Sequence, residues 1–160
     1  MKQFVFTLQA LYDVQEGKEK QVKLQLSSIE AELAVHRREL EALNRTFENT
    51  KLEYTAAVQK GVQAVKIRQY GLFFEKLRDM MLLQQTKISQ LEEKKSRCLQ
   101  QLVEIRKEKM LLDKLREEQY AQYLEELKKH QAKLMDDFVS YKTKGSAELQ
   151  AEAHEEQQAM

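Results

Sequence analysis

The chain has 160 residues and a net charge of +1, with one third of its side chains charged, no Pro or Trp and only four Gly. That balance excludes a global pull toward nucleic acid or anionic lipid. The dominance of Ala, Glu, Lys, Leu, Arg and Gln argues against a β-rich or close-packed globule and for long helices. A single cysteine, Cys98, excludes a disulfide framework or multi-cysteine metal site and fits a reducing cytosol.

The opening residues, Phe4-Val5-Phe6-Thr7-Leu8-Gln9-Ala10-Leu11-Tyr12, are too apolar for a free helix end. They lack the apolar stretch and cleavage site of a signal peptide, and no run of about 18 apolar residues predicts a membrane span. A strict heptad follows. Val22, Leu26, Ile29, Leu33, His36, Leu40, Leu43, Phe47, Thr50 and Tyr54 succeed one another at alternating spacings of four and three. A 3.5-residue repeat keeps one stripe facing one partner helix, so this is the seam of a coiled coil. Leu8, Tyr12, Gln15 and Glu19 continue it upstream with weaker residues, against a competing phase through Leu11 and Val14. The pattern weakens between Ala56 and Val65, where Gly61 is a candidate helix cap.

A second seam runs through Phe74, Leu77, Met81, Gln84, Ile88, Leu91, Lys95, Cys98, Leu102, Ile105, Lys109 and Leu112. It is expected to slip at Arg116 and continue through Tyr120, Leu124, Leu127, Gln131, Leu134, Phe138 and Tyr141, two successive spacings of four marking a stutter. The expectation is an all-α, two-helix antiparallel coiled-coil hairpin forming a single domain over residues 1–160. Helix one covers about 5–58, the turn about 58–67, and helix two, the longer, about 67–144. Lys144-Gly145-Ser146 is read as its end, with a frayed polar tail over 145–160.

Neither catalysis nor metal or cofactor binding is expected. The histidines do not converge with other ligands, Cys98 occupies a seam position, and Glu92-Glu93 and Asp136-Asp137 read as solvated charges. The aromatic residues are more informative. Phe73 and Phe74 are neighbours about 100° apart on a helix, so one helix face cannot bury both. With Phe74 in the seam, a Phe73–Leu77–Met80–Gln84 stripe is expected along the outside. It serves either as a wider seam that fastens the hairpin tip or as a partner-binding patch. The opening segment either packs near Tyr120, Tyr123 and Leu124 or is held by a partner.

The opening Phe4-Val5-Phe6-Thr7-Leu8-Gln9-Ala10-Leu11-Tyr12-Asp13-Val14-Gln15-Glu16 resembles the flagellar export protein FliJ family. So do Lys114-Leu115-Arg116-Glu117-Glu118 with Tyr123, and Met135-Asp136-Asp137; together the likeness covers residues 3–142. The resemblance implies a cytoplasmic coiled-coil stalk of the type III protein export apparatus, similar to the central stalk of rotary ATPases. Its partners would be the export ATPase ring, the cytoplasmic domain of the export gate protein and export chaperones. Nucleic acid and direct membrane insertion are not implied, and association with the inner membrane would be peripheral. The family's gate-binding stripe maps onto Tyr70, Phe73, Leu77, Met80 and Gln84, where Met80 and Gln84 depart from the family's Ala and His. Phe4, Phe6, Leu8 and Leu11 are the residues expected to meet the ATPase. The alternatives are an injectisome stalk homologue and a homodimeric structural coiled coil.

Overall fold

The computed structural model describes residues 3–158, with side chains described over residues 3–145. These residues form two helices and no strand: α1, Gln9–Lys60, and α2, Ala64–Gln158. The two pack against each other as an all-α hairpin. Where the sequence reads as one coiled-coil domain, packing groups the chain into two compact units. One is Asp13–Lys109; the other joins the opening segment through Tyr12 to Met110 and the residues after it.

The reversal occupies residues 61–63. Gly61 has φ 83°, the left-handed conformation that closes a helix, and its N–H donates to the Val58 carbonyl at 3.2 Å. The Gln63 carbonyl then accepts from the N–H groups of Lys66 (3.0 Å) and Ile67 (3.3 Å), which starts α2.

Two boundaries differ from expectation. Helix α1 begins at Gln9, not near residue 5, because Phe4-Val5-Phe6 leaves the helix and Phe6 is buried. Helix α2 does not stop at Lys144 but passes through Gly145 to Gln158. A helical Gly costs about 1 kcal/mol yet keeps its N–H, and the Ala-, Glu- and Gln-rich sequence beyond it favours helix.

In the Asp13–Lys109 unit the helices run antiparallel along one seam. Val22, Leu33, Leu77, Leu91, Cys98 and Leu102 are buried; Leu26, Ile29, Leu40, Leu43, Phe47, Phe74, Met81, Ile88 and Ile105 are half-buried. Val22, Cys98 and Leu102 form the central cluster, flanked by Leu26, Ile29 and Ile105. Leu33, 2 % exposed, is the most deeply buried side chain. Arg37–Glu92 (2.8 Å) and Lys95–Glu30 (3.1 Å) bridge the helices at the surface, where such pairs contribute at most about 1 kcal/mol each.

The seam is not apolar throughout. Gln15 and Glu19 are buried, while the competing Leu11 and Val14 are exposed. Glu19 is met by Lys23 at 2.7 Å, Lys109 at 2.8 Å and Arg106 at 3.5 Å. Hydrogen bonding to Lys109, then to Lys23, lowers its pKa from 4.5 to about 2, against the opposing effect of burial. The charged form is therefore the one folding favours. Its stabilisation is present above pH 4.5 and disappears as pH falls through about 2. In thermal melts, Glu19→Gln is expected to flatten the acid side of the Tm–pH curve over that window. An unchanged slope would place the acid-sensitive group elsewhere.

In the second unit, helix α2 follows a 112–116–119–123–127 pattern of buried and half-buried positions. The expected slip onto Tyr120 and Leu124 is corrected. Both residues are exposed, and the successive spacings of four fall later, at Gln119–Tyr123–Leu127. Here α2 is faced by the non-helical opening segment in place of a heptad partner, so no seam register is imposed on it. Phe4 meets Tyr120 edge-on at 5.2 Å between ring centroids and Tyr123 at 5.6 Å. Thr7 and Gln119 exchange hydrogen bonds at 3.2 and 3.3 Å.

Candidate functional site

The first candidate surface begins at the hairpin tip, where aromatic residues from both helices interlock. Phe47 packs edge-on against Phe74 at 5.1 Å, and Tyr54 packs against Tyr70 at 5.4 Å and Phe74 at 6.1 Å. The Arg78 guanidinium lies over Phe47 at 5.9 Å. Such edge-to-face pairs are worth about 0.5–1.5 kcal/mol beyond the area they bury, so they fix Tyr70 and Phe74 in place. Phe73 is then turned out of the seam and is 42 % exposed. With Thr50, Glu53, Lys66, Gln69 and Tyr70 it lines a groove of ≈ 490 Å³.

The expected outward stripe does not form. Leu77 is 4 % exposed, buried in the seam, while Gln84 is half-buried in a polar layer. There Gln84 Nε2 donates to Glu39 Oε2 at 2.7 Å, and His36 Nδ1 donates to Gln84 Oε1 at 2.8 Å. The heptad supplies the reason. Counting from Phe74, residues 77 and 84 fall on the seam, whereas 73 and 80 flank it. Phe73 and Met80, seven residues apart, remain accessible; Tyr70 is half-buried beside them.

The second candidate surface is the opening segment with the helix it covers. Of Phe4, Phe6, Leu8 and Leu11, only Leu11 is exposed. Phe6 is 6 % exposed and Phe4 sits against two tyrosines, so a partner could take either only by displacing it. The Arg116 guanidinium covers the Tyr12 ring at 5.4 Å and donates to Asp113 Oδ1 at 2.9 Å, which anchors the start of α1 in the same unit.

Further along α2, Leu134, Met135, Phe138, Val139 and Tyr141 are all exposed. Met135, Phe138 and Val139, with Lys142 and Thr143, line a second groove of ≈ 480 Å³. The sequence places Leu134, Phe138 and Tyr141 on the continuing stripe of a second helix longer than the first, and the unequal lengths leave no apolar heptad to face them.

Among the described residues, no group of His, Cys, Asp and Glu is arranged to hold a metal ion, and Cys98 is buried in the seam. Glu19, with its pKa near 2, is a poor proton acceptor at neutral pH. What the surface offers is apolar and aromatic groups in shallow grooves beside paired helices. Those features define an all-α coiled-coil hairpin with exposed apolar side chains near its reversal and along the later part of α2. The family model described as Flagellar FliJ protein matches residues 4–148, and the chain belongs to that family. It is thereby a component of the flagellar protein export apparatus. No curated protein and no solved structure matches the chain. No helix among the described residues is long and apolar enough to cross a membrane.

Proposed function

We propose that the chain is a non-catalytic stalk of the flagellar export apparatus, joining the export ATPase ring to the cytoplasmic domain of the export gate. The observation that carries this reading is the tip, where Phe73 stands exposed in a groove whose walls are fixed by interlocked aromatics. Aromatic anchors held rigidly at a surface lose little entropy on binding, and this makes them effective interface centres. Phe73 and Met80 form the accessible part of the gate contact, with Tyr70 at its edge. Leu77 and Gln84 support it from the seam.

The ATPase contact falls on Leu11 and the exposed stretch of α2 that carries Leu134, Phe138 and Tyr141, instead of on Phe4 and Phe6. Co-elution of the purified chain with the purified export ATPase tests this assignment. Leu134→Ser combined with Phe138→Ser is expected to abolish co-elution while helicity by circular dichroism stays unchanged. Undiminished co-elution of that variant would overturn the ATPase assignment. Export chaperones compete for the same exposed stretch under this reading.

A further inference from the structure

The last turns of α1 and the first turns of α2 bring exposed aliphatic side chains and cations together at one end of the Asp13–Lys109 unit. Leu52, Val58, Val65, Ile67 and Leu72 are all exposed. Among them stand four exposed cations, Lys51, Lys60, Lys66 and Arg68, against one acid, Glu53. None of the four belongs to an ion pair among the described residues. Farther from the reversal, Arg37, Arg45, Lys95, Arg97 and Arg106 are paired with acids, and Lys18, Lys20, Arg38 and Lys94 stand outside the ion pairs as the tip cations do; what distinguishes the tip is four such cations against one acid. The near-neutral net charge of the chain conceals this local excess. The first turn of α2 carries no acidic residue, so the positive end of its dipole adds to the excess.

We propose that the hairpin tip adsorbs directly to an anionic lipid bilayer surface, with its aliphatic side chains in the interface and its cations among the headgroups. Apart from the groove that Phe73 lines on one face of α2, the aliphatic groups around the reversal are disposed for a bilayer and not for a single protein face. Val65 and Leu72, seven residues apart, share one side of α2, whereas Ile67 lies about 200° away from Val65 around the same helix. Leu52 and Val58 likewise point in different directions on α1. A protein partner covers one face; a lipid interface surrounds an inserted end on every side. Tyr54 and Tyr70, packed together behind these residues, carry the amphipathic rings that favour headgroup depth. The contact is peripheral and reversible, involves no spanning segment, and does not depend on gate or ATPase binding.

Vesicle co-sedimentation of the full chain tests the proposal. Binding is expected to vesicles containing about one third phosphatidylglycerol and to be at least about tenfold weaker on phosphatidylcholine alone, with each headgroup-facing cation contributing about fivefold. Raising salt to about 0.5 M is expected to remove most of it. The triple variant Lys60→Gln, Lys66→Gln, Arg68→Gln should lose about a hundredfold in affinity. All three positions are exposed, so helicity and melting should be retained. Val65→Cys carrying an environment-sensitive dye should shift to the blue on anionic vesicles, and Gln101→Cys carrying the same dye should not.

Equal binding to both vesicle types, full binding by the triple variant, or a dye at position 65 that stays in water would each overturn the proposal. So would a tip that captures an acidic polypeptide such as polyglutamate while ignoring the vesicles, since the cations would then serve a protein.

Discussion

Leu33→Ala is expected to destabilise the hairpin by about 2–4 kcal/mol, the cost of removing a buried leucine and leaving a partly unfilled space. Leu33 is 2 % exposed, the deepest side chain in a seam only two helices wide. Such a structure has no second layer to share the loss, and helix propensity offsets only a few tenths of a kcal/mol on gaining Ala. At about 2–4 °C per kcal/mol for a chain of this size, melting should fall by about 5–15 °C. Leu24→Ala is the matched control. Leu24 is 73 % exposed, so the same chemical change should leave melting almost where it was. Similar melts for the two variants would mean that the seam does not run through Leu33.

The second large effect separates binding from folding at the tip. Phe73→Ala is expected to weaken association with the gate's cytoplasmic domain about thirtyfold, equivalent to about 2 kcal/mol for a buried interface anchor. Its own fold should barely respond, because the ring is largely outside the seam. Leu77→Ala is expected to do the reverse in the isolated chain, lowering melting by removing a buried side chain. Calorimetric titration paired with thermal melts reads both quantities on the same preparations. Should Phe73→Ala cost as much melting as Leu77→Ala while binding stays intact, Phe73 belongs to tip packing and the gate contact lies elsewhere.

The seam was legible because a heptad states its own partner. Val22 through Tyr54 and Phe74 through Leu112 each present one stripe, and a chain with two stripes around a weak stretch folds back at the weak stretch. Finer assignments required knowing which side of a stripe faces the partner. Positions 73, 77, 80 and 84 lie within a narrow arc of an ideal helix, and only the opposing helix decides that 77 and 84 are covered while 73 and 80 flank them.

The opening segment was harder for a different reason. The sequence pattern carries the helix back to about residue 5, and the residues that hold Phe4 out of it, Tyr120 and Tyr123, are more than a hundred positions away. Local propensity cannot weigh a contact of that range. At the end of α2 the local signal misleads in the opposite way: one glycine marks a stop that the run of good helix formers after it overrides.

The reversal at Gly61 also sets the order in which the Asp13–Lys109 unit assembles. Tyr54 and Tyr70 are the nearest cross-seam aromatic pair along the chain, so joining them closes the smallest loop; Phe47 and Phe74 close the next. Val22 and Leu102 meet across a far longer segment, whose closure is cheap only after the inner layers have formed. Assembly therefore zips from the reversal outward, and opening proceeds inward from the far end. Strain placed at position 61 is met at the first step and slows folding, whereas a defect at Val22 or Leu102 is met late and hastens unfolding. The tip is thus the kinetic origin of the unit, and the seam is what keeps it from coming apart.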